Sequence, residues 1–65
     1  MLINQIENGL NVLRAEARGA RGRDRCWMHH NSIMRRAQQH IEACGGNWAE
    51  YESRLKREFA ELMRL

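Results

Sequence analysis

The chain has 65 residues, a formal net charge of +3, two cysteines and no proline. That length makes one domain and excludes a deep substrate pocket, since chains of this size bury only about 60% of their unfolded surface. Met1-Leu2-Ile3 runs at once into Asn4 and Gln5, and no apolar run approaches bilayer length, so neither a signal peptide nor a membrane span is predicted and the expected location is cytoplasmic.

Residues 1–17 support more than one reading. Ile3, Ile6, Leu10, Leu13 and Ala17 recur at helical spacing with Leu2 beside them. Asn8-Gly9 is a turn signal, and glycine inside a helix costs about 1 kcal/mol against alanine. A two-residue hairpin there would set Glu7 opposite Leu10, Gln5 opposite Val12 and Asn4 opposite Leu13, which leaves neither face apolar. The segment is therefore a helix, or a strand near Leu10-Asn11-Val12-Leu13 exchanged with a second copy of the chain, or unstructured.

Arg18 to Arg25, RGARGRDR, is the connecting loop, with 18–24 outside any element because Gly19 and Gly22 interrupt a helix. Between Arg14 and Arg36 seven arginines stand against Glu16 and Asp24, for +5, while the rest of the chain carries four cations against six acids, for −2. Guanidinium suits bidentate phosphate contact and base stacking, and flexible Arg/Gly segments bind single strands and RNA. Arg18, Arg21, Arg23, Arg25, Arg35 and Arg36 are thus the candidate nucleic-acid contacts. The competing readings are a solvated loop that keeps the protein soluble, or a site for an acidic protein.

A helical hairpin follows, over about 25–44 and 48–64. Asp24 is the expected N-cap of its first helix, with Asn31-Ser32 as a later start. Cys26, His30, Ile33, Ala37, His40, Ile41 and Cys44 share one face, flanked by Trp27 and Met34. Gly45 is expected to close the helix in the left-handed conformation. Asn47 caps the second helix with Glu50 as its capping-box partner. Trp48, Tyr51, Leu55, Phe59 and Leu62 then fall within roughly a 100° arc, with Met63 at its edge. The short Gly45-Gly46-Asn47 link makes the pair antiparallel.

Cys26-x2-His29 and His40-x3-Cys44 have the look of two half-sites for zinc, but about ten helical residues hold them some 15 Å apart. The two cysteines themselves lie roughly 27 Å apart along one helix, which excludes a disulfide within the chain and fits reduced thiols. The thiols are expected as small core residues, the histidines at a packed or interface edge, and neither a metal nor another cofactor is expected. No nucleophile–base constellation or phosphate-binding glycine loop is present, so the protein is not read as an enzyme. Glu50, Glu52, Glu58 and Glu61 would repel an anionic lipid surface, so no membrane partner is expected either.

Two apolar helical faces are little for a free-standing domain, and a small scaffold of this kind needs a staple or a partner. The expected fold is mainly α, an intertwined homodimer in which Trp48, Tyr51, Leu55, Phe59, Leu62, Ile33 and Ile41 serve assembly and partner docking. His30 and His40 in that interface would make association pH-sensitive.

Two resemblances attach to these residues. His40-Ile41-Glu42-Ala43-Cys44-Gly45-Gly46-Asn47 resembles the helix end and turn that precede the helix-turn-helix of the Fis-type DNA-binding family. That family then needs a second tight turn before its recognition helix, and Trp48 to Leu65 offers none, so no recognition helix is carried over. As a whole, a short, Arg-rich, proline-free chain with an N-terminal segment and a terminal helix pair resembles the small early-region proteins of lambdoid temperate bacteriophages. These include small dimers of two helices and a strand with pro-lytic effects on the host. The resemblance implies a non-enzymatic regulatory effector of early or lytic development, acting on itself and on an unidentified host or phage protein. DNA or RNA binding through arginine is the alternative.

Overall fold

The computed structural model describes residues 3–65 as three helices, α1 (Ile3–Arg18), α2 (Trp27–Ala43) and α3 (Glu52–Met63). Single 3-10 turns, Gly22–Asp24 and Trp48–Glu50, precede α2 and α3. The place expected for Leu2 lies outside the described residues. Among the described residues there is no strand, which overturns the exchanged-strand reading of the N-terminal segment. The reason is the spacing of its apolar side chains. Ile6, Leu10, Leu13 and Ala17 all enter one core, whereas alternation along a strand would send the even-numbered pair and the odd-numbered pair to opposite faces.

That α1 stripe packs on Ile33, Ala37 and Ile41 from α2 and on Leu55, Phe59 and Met63 from α3. Glu16 meets Arg36 while Gln5 and Ile6 meet His40, so α1 and α2 run antiparallel. The His30 ring reaches Lys56 of α3, and all three helix pairs are in contact, giving an up-down-up bundle. The apolar face of the hairpin, expected to need a second chain, is thus covered by α1 of the same chain. Ile33, Ile41, Leu55 and Phe59, expected at an assembly or partner face, are fully enclosed in this core.

The helix ends show where local signals held. Gly45 takes φ +81, Gly46 N–H donates to Ile41 O at 2.9 Å and Gly45 N–H to Glu42 O at 3.1 Å. This is the left-handed stop expected for α2. Its start is different from the expected one. Asp24 is taken up by the 3-10 turn, its N–H donating to Arg21 O, and an extended Cys26 caps α2 by accepting the His29 N–H on its sulfur at 3.5 Å. Both thiols are free, and both sit half-buried at the ends of α2 and not in the core, where His30 takes the central position instead.

Asn47 does cap, its Oδ1 accepting the Ala49 N–H at 3.1 Å, but it opens the 3-10 turn Trp48–Glu50 and α3 starts only at Glu52. A 3-10 turn advances about 120° per residue against 100° in an α-helix, so Trp48 at its start is rotated out of the α3 stripe. Leu55, Phe59 and Met63, an i,i+4 row along α3, are the enclosed residues, while Trp48, Tyr51 and Leu62 are packed only in part. Arg54 covers the Tyr51 ring, 5.2 Å from its centroid.

Candidate functional site

In an up-down-up bundle the C-terminal ends of α1 and α3 and the start of α2 share one end of the molecule. There Arg18 from the last turn of α1, Arg21 and Arg25 from the connection, and Leu62 and Arg64 from the end of α3 line a cleft of about 360 Å³. None of these lining residues is acidic. The free carbonyls at two helix C-termini give this end a partial negative charge that favours cations. Arg21 Nη1 uses that directly, donating to Ala20 O at 3.1 Å and Arg18 O at 3.4 Å. A guanidinium has five N–H donors, so this leaves most of its donors for another acceptor.

Arg64 enters the cleft from a strained backbone. It sits at φ 59, ψ 46, with Leu65 N–H donating to Ala60 O at 2.9 Å and Arg64 N–H to Glu61 O at 3.1 Å. This is the same stop that ends α2, but with arginine where glycine is the favoured residue. A side chain in that region costs about 1 kcal/mol. Arg64→Gly is therefore expected to raise stability by about 0.5–1 kcal/mol, a Tm gain of roughly 2–8 °C by circular dichroism. The same change removes one of the four cations of the cleft.

The other arginines are placed differently. Arg36 donates to Glu16 at 2.6 Å across α1 and α2. Arg14 bridges Glu7 at 3.2 Å and Glu58 at 2.9 Å and also reaches Asn11. Partial burial works against its charge, yet the bonds to Glu58 and Glu7 outweigh it and hold the guanidinium above its ordinary pKa. Arg23 is exposed in the 3-10 turn. Arg35 lines a separate groove of about 240 Å³ between α2 and α3, with His30, Met34, Gln38 and Trp48. Of the six arginines singled out from sequence, Arg18, Arg21 and Arg25 thus converge, and Arg64 joins them from the far end of the chain. Its signal was topological: once residues 3–18 form a third helix, the ends of α1 and α3 fall side by side.

The histidines serve packing. His30 is fully enclosed, its Nε2 lies 3.1 Å from Lys56 O, and its Nδ1 is buried with no partner. A carbonyl can only accept, so Nε2 carries the proton. Its ring meets the Trp27 indole edge-to-face at 5.1 Å. His40 lies against α1, Nε2 donating to Gln5 O at 2.8 Å and to Ile6 O at 3.2 Å. Among the described residues no three of His, Cys, Asp or Glu converge as metal ligands, and no helix is long and apolar enough to cross a membrane.

Fold and cleft together define a small three-helix bundle with an arginine-lined cleft at one end. Compared with family models, with curated proteins and with solved structures, the chain matches none.

Proposed function

We propose that the protein binds polyanions, nucleic acid first among them, through Arg18, Arg21, Arg25 and Arg64. The observation that carries this reading is the convergence of four guanidinium groups on one cleft with no acid in its lining, in a chain that holds eight acids. Four like charges held together repel, and a multivalent anion relieves that repulsion while releasing the counterions that the anion had condensed. A salt titration tests it. Replacing all four arginines by glutamine should flatten the dependence of log affinity on log salt by about 3 to 4, at roughly 0.7–0.9 for each phosphate no longer neutralised. A protein that binds neither DNA nor RNA at low salt ends this reading.

A second reading, the one that the bacteriophage resemblance implies, is a non-enzymatic effector that acts as a homodimer or on another protein. It is favoured by Trp27 and Met28, two adjacent apolar side chains that are 54% and 80% exposed at the start of α2. Light scattering at micromolar concentration reads its assembly: a two-fold dimer gives about 15 kDa, against 7.7 kDa for one chain. A monomer removes the homodimer. Both readings put the protein in the cytoplasm, that of the bacterial host for a phage-encoded chain.

A further inference from the structure

We infer that Trp27 is a base-stacking platform beside the arginine cleft, so that the nucleic acid this protein takes is single-stranded. The inference rests on the polyanion reading above and adds to it which form of nucleic acid is bound and by which residue.

Trp27 is 54% exposed, in a chain that encloses every large side chain of its core stripe completely or nearly so. The indole is also braced on one side. It packs edge-to-face on the His30 ring at 5.1 Å, and that ring is itself enclosed and tied to the α3 backbone at Lys56 O. An aromatic group held by the core loses little freedom when a ligand stacks on it. Trp48, by contrast, is half-buried against the core.

Position decides the occupant. Trp27 follows Arg25, a lining residue of the cleft, by two residues, so their Cα atoms lie within about 7 Å of one another. A phosphate in the cleft and the base of the same or the next nucleotide on Trp27 fit that separation. The neighbouring cleft is cationic, with Arg18, Arg21, Arg25 and Arg64 in its lining and no acid, which suits a polyanion better than an apolar protein surface. A duplex keeps its bases paired and stacked on each other, whereas an unpaired strand offers a base face to an aromatic ring.

The test is fluorescence anisotropy with labelled oligo-dT and oligo-U of about twelve nucleotides and a duplex of equal length. Wild type, Trp27→Ala, Trp27→Phe and the four-arginine variant are compared, with helix content checked by circular dichroism. Wild type should prefer either single strand to the duplex. Trp27→Ala should weaken single-strand binding by about five- to a hundredfold, the range expected when one base loses its stacking partner. It should leave duplex affinity and the salt slope in place, and Trp27→Phe should restore most of the loss. Equal affinity for single strand and duplex, or a Trp27→Ala protein with an unchanged ratio, overturns the inference while arginine-dependent polyanion binding stands. Loss of all binding, duplex included, in a folded Trp27→Ala protein also overturns it. Failure of every oligonucleotide with wild type sinks both readings together and returns Trp27 and Met28 to a protein partner.

Discussion

Phe59→Ala is expected to lower stability by about 3–5 kcal/mol, and by the same amount at every protein concentration. Phe59 is the largest fully buried side chain. It belongs to a core to which all three helices contribute, and a close-packed interior of that kind relaxes only in part around a void. A domain of this length has roughly 3–10 kcal/mol in total, so the variant stands near its unfolding midpoint at room temperature. Urea unfolding should show a lower midpoint with an unchanged slope for any variant that still folds, and Leu62→Ala, trimmed from a half-buried position on the same helix, should cost no more than about 2 kcal/mol. Repeating both curves at tenfold different protein concentrations is the deciding measurement. In a chain whose own α1 completes the core, the midpoint stays where it is. A midpoint that climbs with concentration would mean that a second copy helps to cover Phe59, as the two hairpin faces alone suggested.

What could be read from the sequence was whatever local chemistry decides. Gly45 was legible as a helix stop because a glycine directly after an apolar 3-4 stripe has one common use. The hairpin and its antiparallel sense followed from that stop and from Asn47. The phase of α3 was not legible. Asn47 and Glu50 fit an α-helical cap as well as a 3-10 turn, which shifts Trp48, and whether Leu62 or Met63 faces the core depends on how α3 docks on α1 and α2. The candidate site was half legible. Arginine-rich composition marked 18–25, but which cations converge depends on the register of three helices. Arg36 was grouped with the loop by nearness in sequence, yet it is held by Glu16, a partner identified only once α1 is a helix beside α2. Arg64 lay too far along the chain for any window to join it to Arg18.

Gly9 is the clearest case of a local signal with a distant cause, and it yields the loss or reversal of an ordinary gain that can be measured. Alanine for glycine inside a helix ordinarily gains about 1 kcal/mol. Here a β-carbon on Gly9 would overlap the imidazole of His40, which lies across the α1 backbone at that point. The ring would have to swing away and give up its bonds to Gln5 O and Ile6 O, at about 0.5–1.5 kcal/mol each. Gly9→Ala is therefore expected to lose that gain, and to destabilise by up to about 2 kcal/mol in the wild-type background. His40→Ala alone should cost only about 1 kcal/mol, because both carbonyls are α1 acceptors that keep their ordinary i+4 donors. With His40 already removed, the clash has no second party, and Gly9→Ala should stabilise by about 1 kcal/mol. The four thermal unfolding curves of this cycle give a coupling of about 1–3 kcal/mol, at least twice the scatter expected of independent sites. Additivity to within about 0.5 kcal/mol would mean that the imidazole does not rest on α1 in solution. Asn8-Gly9 would then have to be explained as a turn signal after all, and with it the continuity of α1 on which the closed core depends.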